Sequence, residues 1–283
     1  MKRRTQSIKF MIYIMTMVSP LLGCKSVVIL PRIKYNQYEY GKSFSYNKDT
    51  LKIKLENPLH CPLRVWFFSS DELTQKEFDK IIPITLNSGS DTVLTLVNIQ
   101  KKVEQIRFSS RLGDLSKRID TIRLDLPFLK NKKFKILQEN NTNFTHNSEW
   151  SMYALDFDLK TNDTICSATD GFVVGVVDKY KYSGKGSEWK PYSNYLTIYE
   201  PTSGFFTQYV HLVENGSLVK IGDKVNRGQK IALSGNTGQS TEEHLHFSSL
   251  VPVNNEDGLM SVPIEFVGGI KAVKLKKGDV LKK

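Results

Sequence analysis

His244-Leu245-His246-Phe247 sets two imidazoles one residue apart, just behind the glycine-rich turn Gly235-Asn236-Thr237-Gly238. If this stretch is a β-strand, alternate side chains share a face. His244 and His246 then point one way, and Leu245 and Phe247 point toward a core. Two imidazoles facing a groove can serve a metal, or one can bind it while the other reaches a substrate beside it. A catalytic zinc usually takes three protein ligands from His, Asp or Glu and keeps a fourth position for water. The chain has five histidines, and all but His60 fall in its C-terminal half. HNSEWSMYALDFD supplies His146 and Asp156 as further donors, and FFTQYVHL ends in His211. Asp158 shares the face of Asp156 if that strand is regular. His60, in NPLHCPL, reads as a loop or strand-edge histidine.

The elements that must position these groups are strands. GFVVGVV, NYLTIYE, GFFTQYVHL, KIALSG and HLHFSSL are strand candidates punctuated by glycines. No segment of this half carries a helical period over ten residues. From about Val27 to Leu126 short strands recur too. LKIKLEN alternates Leu51, Ile53 and Leu55 with Lys52, Lys54 and Glu56, and PLRVWFF, DTVLTLV, EQIRFSS and DTIRLDL are similar. This spacing predicts an immunoglobulin-like β-sandwich. One short helix is expected at DELTQKEFDKI with Ser70 as its N-cap. The polar, lysine- and asparagine-rich stretch from Leu129 marks a boundary. The expected organisation is all-β: a targeting segment over 1–23, an N-terminal sandwich over 24–128, and a second β-domain over 129–283 with its core at 146–250.

The second half resembles the lysostaphin-type zinc metallopeptidases, the LytM-like endopeptidases that cut peptide bonds in bacterial peptidoglycan. The resemblance is carried in order by YALDF, SATDGFVVGVV, SNYLTIYEPTSGFFTQYVHL and VKIGDKVNRGQKIALSGNTGQSTEEHLHF. It runs from about His146 to Phe247 and leaves the N-terminal half uncovered. It implies an antiparallel β-sheet peptidase domain holding one zinc on His146, Asp156 and His246. His211 and His244 become the non-ligand histidines that act on the substrate. A metal-bound water is acidified toward pKa ~7 and the scissile carbonyl polarised, while a neutral imidazole takes a proton and a donor stabilises the oxyanion. The resemblance also makes Asn236 and Tyr192 candidates for substrate contact, and the loop DKYKYSGKGSEWKPYSN, with Tyr182 and Trp189, a wall of the cleft. The ten residues from His146 to Asp156 exceed the spacing of many members. Glu242-Glu243 replaces small residues before His-Leu-His, and two acids there would disfavour anionic stem peptides.

The first 23 residues have the order of a secretory signal. MKRRTQSIK is basic, and FMIYIMTMVSPLLG is an apolar run shorter than the ~20 residues that span a membrane. Leu21-Leu22-Gly23-Cys24 resembles a bacterial lipobox. Lipidated at Cys24, the mature chain would be anchored in the cell envelope, and Lys25 leans the expectation toward the periplasmic face of the outer membrane. Removing this segment takes away four basic residues, so the net charge of +11 falls to 36 basic against 29 acidic, or +7. No basic run interleaves with aromatics, so nucleic acid is not an expected partner. Cys61 and Cys166 remain, as a possible disulfide or, preferably, two buried thiols. No cysteine spacing suggests a metal site.

Three functions compete. A zinc endopeptidase acting on peptidoglycan stem peptides uses every residue named above. A catalytically inactive LytM-like module that activates cell-wall amidases would typically lack one or more zinc ligands, and here the set is complete. A lipoyl- or biotinyl-type carrier is suggested by VKIGDKVNRGQKIALSG, yet no lysine stands in a carrier context and four histidines would have no purpose.

Overall fold

The structure is a computed structural model, and it describes residues 29–97, 99, 106–117, 119 and 122–283. The expected targeting segment 1–23 and the expected lipidation site Cys24 lie outside the described residues. Among the described residues no helix is long and apolar enough to cross a membrane. Residues 31–283 form one compact unit.

The N-terminal part consists of two three-stranded antiparallel sheets. One joins Gly41–Asn47, Thr50–Glu56 and Asp91–Leu96; the other joins Ile84–Leu86, Leu63–Ser69 and Ile106–Leu112. The alternation read in LKIKLEN is realised: Leu51, Ile53 and Leu55 are fully buried and the charged residues between them are exposed. They meet Leu63, Val65 and Phe67 of the second sheet in a shared core. Among the described residues each of these sheets has three strands, and the seven-strand immunoglobulin arrangement is not confirmed. The helix spans Glu72–Asp79, and its N-cap is Asp71, whose carboxylate accepts from the Thr74 amide at 2.8 Å. Ser69 and Ser70 precede it, and Asp71 is the better placed to satisfy the first-turn amides. Cys61 and Cys166 are both buried free thiols.

A nine-stranded sheet organises the rest. Its strands run in the order Lys224–Val225, Gly171–Val177, Tyr195–Tyr199, Phe206–Val210, Leu245–Pro252, Leu155–Phe157, Lys133–Gln138 and Val280–Lys282, with Leu259–Ser261 also on Leu245–Pro252. Lys133–Gln138 is a strand that the polar composition of its surroundings concealed. One face carries a row of Leu196, Tyr209, Phe247 and Leu155, all in the larger apolar core. The opposite face is divided. Tyr199, Phe206 and Leu250 form a row that packs into the core of the N-terminal sheets. Thr197, Gln208 and Ser248 form the next row, and Tyr195, Val210, His246 and Asp156 the last. This last row opens to a cleft, together with Gln208 of the row beside it. The two parts are therefore not separated by a free linker. Leu124, Leu126 and Phe128 join the larger core, and Ile122–Leu124 pairs in parallel with Ile264–Phe266.

Arg64 fastens the junction. It is 1% exposed, and its guanidinium donates to the carbonyls of Leu112 (3.0 Å), Gly113 (3.1 Å), Val253 (2.9 Å) and Gly258 (2.8 Å). Gly113 is needed beside it, because a Cβ there would lie 2.3 Å from Pro252. A buried cation survives only with its donors satisfied. Arg64→Met should therefore cost about 2–4 kcal/mol in urea unfolding, whereas Lys52→Ala, on the exposed face of its strand, should stay within roughly 0.5 kcal/mol.

Candidate metal centre and cleft

Asp156 and His246 face each other directly across neighbouring strands. The apolar residues on either side of each fix this. Leu155, Phe157, Leu245 and Phe247 are all fully buried in the larger core. Alternation then turns Asp156 and His246 to the other face. His146 arrives from the 139–154 loop and is fully buried. His146 Nε2 lies 3.2 Å from Asp156 Oδ1 and 3.2 Å from His246 Nδ1, and His246 Nδ1 lies 2.9 Å from Asp156 Oδ1. Among the described residues these three are the only His, Cys, Asp or Glu group able to hold a metal. A tetrahedral ion with bonds of ~2.0–2.1 Å separates its ligand atoms by about 3.3 Å. The triangle of donors nearly matches that spacing, and two imidazoles with one carboxylate are a donor set suited to zinc.

Hydrogen bonding settles which nitrogen each imidazole offers. His146 Nδ1 donates to the Glu139 carbonyl at 2.8 Å, which leaves its Nε2 lone pair for the triangle. His244 Nδ1 donates to the Glu242 carbonyl at 2.9 Å, and His211 Nδ1 donates to the Thr237 carbonyl at 2.7 Å. Both therefore aim a free Nε2 at the cleft. His244 Nε2 stands 3.7 Å from Asp156 Oδ2, and the rings of His211 and His244 are 4.5 Å apart. Charge follows burial and neighbours. Burial opposes ionisation of Asp156, but His244, His146 and His246 together outweigh it and hold the carboxyl well below the usual carboxylate range. Burial pushes the His211 pKa well below that of an ordinary histidine, and His244 and His246 push it further. His211 is thus a neutral imidazole at neutral pH.

His211 is also held in an uncommon backbone conformation, φ +68°, which costs about 1–3 kcal/mol outside glycine. Its neighbours enforce it. Asn194, fully buried, donates from Nδ2 to the Leu212 carbonyl at 3.2 Å, and Thr237 Oγ1 donates to the same carbonyl at 2.9 Å. Thr237 Oγ1 accepts from the Asn194 amide at 3.0 Å. Gly235 lets the two segments meet, since a Cβ there would lie 2.5 Å from the Val213 nitrogen.

A cleft of about 660 Å³ opens over Asp156, His211, His244 and His246. Its floor continues to Gln208 and Tyr195, and Trp150 and the exposed Phe144 stand at the 139–154 wall. The opposite wall is the predicted loop, part of it the 3-10 helix Ser187–Tyr192. Trp189 and Tyr192 point inward there. They are buried against one another and Tyr180, and neither lines the cleft; Tyr182 is 52% exposed and also lies outside its lining. Asn236 is half-buried and likewise absent from the lining. Its neighbour Thr237 is the residue of that turn that touches the site. Asp158 turns away and pairs with Lys160 at 2.6 Å. Glu242 reaches the cleft, but so do Lys185, Lys190 and Lys277. Those three cations were not visible in the sequence, since nothing distinguishes them from the other lysines until the walls are folded.

Residues 151–257 match the model of peptidase family M23. The chain carries an M23 peptidase domain. The match takes in Asp156, His211, His244 and His246, whereas His146 lies five residues before it and joins the site through the fold. A peptidoglycan DD-endopeptidase of Vibrio cholerae, ShyB, is 45% identical over 96 residues, covering 34% of this chain and 20% of that protein. An uncharacterized metalloprotease of Buchnera aphidicola is 37% identical over 129 residues, covering 44% of this chain and 30% of that protein. The chain thus spans less than a third of the length of either relative. Among solved structures, the lysostaphin catalytic domain from Staphylococcus simulans is 25% identical with a TM-score of 0.32, covering 46% of this chain and 88% of that one.

If the triangle is the ligand set of the M23 domain, wild-type protein purified without chelating resin should carry about one zinc per chain by elemental analysis. His146→Ala, Asp156→Ala and His246→Ala should each lose it, and His211→Ala should retain it.

Proposed function

We propose that the protein is a zinc-dependent endopeptidase that hydrolyses peptide cross-links of bacterial peptidoglycan. The observation that carries this reading is the pairing of a three-donor centre with two imidazoles whose free nitrogens face the same cleft. Zinc, bound to His146, Asp156 and His246, would supply an acidified water and polarise the scissile carbonyl. The chain's own groups do the rest. His244 Nε2, beside Asp156 Oδ2, is placed to accept the proton of the attacking water and return it to the departing amine. His211, kept neutral, is a hydrogen-bond partner whose orientation is fixed before substrate arrives. Orienting groups of this kind act without reorganisation during the reaction. The Thr237 and Glu242 carbonyls set both tautomers, and the Asn194–Thr237 contacts keep His211 aimed. Lys185, Lys190 and Lys277 suit a substrate with carboxylates, which offsets the acidity of Glu242.

The remaining assignments belong to the same proposal. Residues 1–23 would direct export and Cys24 would carry the lipid, tethering the protein at the periplasmic face of the outer membrane. The 24–128 region would act as a spacer or a binding module. The alternative, an inactive activator of cell-wall amidases, has against it a complete donor triangle and two correctly anchored imidazoles.

Digestion of purified peptidoglycan, with release of uncross-linked fragments followed by chromatography, tests this reading. His211→Ala and His244→Ala should keep zinc and lower kcat by roughly 10²–10⁴-fold. A wild-type chain that binds zinc and releases no fragments would overturn it. Thr237→Val keeps the backbone carbonyl that orients His211 but removes the hydroxyl that braces Leu212. It should lower kcat several-fold with little change in zinc content.

A further inference from the structure

The N-terminal segment builds a second pocket beside the cleft. It measures about 350 Å³, and its lining includes Tyr35, Asn36, Gln37, Glu39, Lys42 and Tyr195. Tyr195 is shared, because it also lines the catalytic cleft. The two concavities are joined beneath by a relay of hydrogen bonds. Trp150 Nε1 donates to Gln208 Oε1, Gln208 Nε2 to Thr197 Oγ1, and Thr197 Oγ1 to Gln37 Oε1, each at 3.3 Å. The relay begins in the cleft and ends in the second pocket.

The segment is held firmly. The Gln37 carbonyl accepts from the Val176 amide at 2.9 Å, and Gly175 leaves room for its side chain, since a Cβ there would lie 2.6 Å from Gln37 Oε1. Tyr38 Oη and Ser110 Oγ are 3.1 Å apart, and Asn36 Nδ2 donates to Glu39 Oε1 at 3.0 Å. The Tyr35 amide donates to Tyr180 Oη at 2.9 Å and the two rings meet edge to face at 5.2 Å. Tyr180 in turn packs on Tyr192, so Tyr35 is tied to the wall of the cleft. Tyr35 is nonetheless 43% exposed.

We propose that this pocket is a saccharide-binding subsite continuous with the cleft, which takes a sugar of the glycan strand while the attached peptide lies over the metal centre. The inference rests on the endopeptidase reading above. The lining has the two features that sugars require. Tyr35, which is 43% exposed, can offer ring surface to pyranose C–H groups while its hydroxyl stays polar, whereas the Tyr40 ring is already covered by the Lys42 ammonium at 4.6 Å. The amide of Asn36 and the carboxylate of Glu39 in the same lining can serve sugar hydroxyl and acetamido groups. The spacing also fits. Tyr195, Val210, His246 and Asp156 are register partners across four adjacent strands. Three strand spacings of ~4.8 Å put Tyr195 roughly 14 Å from Asp156, the reach of about four extended residues. A short peptide hanging from a sugar at Tyr35 and Tyr195 would therefore lay its far bonds at the metal centre.

The test is titration of the zinc-loaded full-length chain with the tetramer of N-acetylglucosamine, followed by calorimetry in a detergent without a sugar headgroup. Saturable one-to-one binding is expected, weakened at least tenfold in Tyr35→Ala and measurably in Asn36→Ala. Zinc content and circular dichroism confirm that each variant is folded, and Tyr195→Phe, which keeps the ring, provides a second probe should Tyr35→Ala misfold. No binding at tens of millimolar, or binding untouched by the folded variants, would overturn the subsite. Fragment release from peptidoglycan by wild-type protein is read in parallel. Sugar binding without hydrolysis would defeat the endopeptidase reading and leave the subsite standing, and hydrolysis without sugar binding would defeat the subsite alone.

Discussion

A carboxylate buried in a sheet must be paired, and the site is arranged around that requirement at Asp156. At 4% exposure, an unpaired charge would be driven to neutralise. Imidazoles converge on it from three separate stretches of chain: His146 from a loop, His246 from the adjacent strand, and His244 from the turn before that strand. The position of Asp156 is decided by its apolar neighbours rather than by the imidazoles. Leu155 and Phe157 must face the core, so Asp156 cannot. A one-residue slip would drive the carboxylate into hydrocarbon and expose two large side chains. The same holds for His246 between Leu245 and Phe247. Hydrophobic burial on one face thus decides which side chains stand in the polar site on the other.

The layers around this pair have distinct duties. Carbonyls of Glu139, Glu242 and Thr237 each accept from one imidazole and so choose its tautomer. Asn194 and Thr237 brace the strained backbone at His211. The N-terminal sheets pack on the far row of the catalytic face, and the segment before them meets the cleft floor through the hydrogen bonds that link Gln37, Thr197, Gln208 and Trp150. Arg64 rivets that cover to the 253–258 loop, donating to two carbonyls of the loop, Val253 and Gly258, and to two of its own side, Leu112 and Gly113.

Much of the architecture was legible because it rests on period-two patterning and local turn chemistry. The strands at Thr50–Glu56, Leu63–Ser69, Gly171–Val177, Tyr195–Tyr199 and Leu245–Pro252 announce themselves by alternation or by short apolar runs. The strand Lys133–Gln138 did not, because lysines and asparagines around it masked a short KFKILQ pattern. The cap at Asp71 was displaced by one residue, a choice between adjacent good cap formers that only the chain direction resolves. The burial of Trp189 and Tyr192 was equally hidden. A 3-10 turn swings both rings inward, and composition alone cannot distinguish a wall from its support.

The sequence by itself supplied the chemical groups: four histidines and an aspartate in or near strands, with apolar neighbours that turn Asp156 and His246 to the face opposite the core. Those are local properties of residue type and spacing. Tertiary structure alone decided which donors meet. His146 lies a hundred residues from His246, and its Nε2 reaches Nδ1 of that residue because the 139–154 loop brings it to the cleft face of the sheet. It also decided that Lys185, Lys190 and Lys277 share one cleft and that Tyr35 and Tyr195 share one pocket. Such neighbourhoods depend on sheet order and on the packing of distant segments, and no local pattern in the chain encodes either.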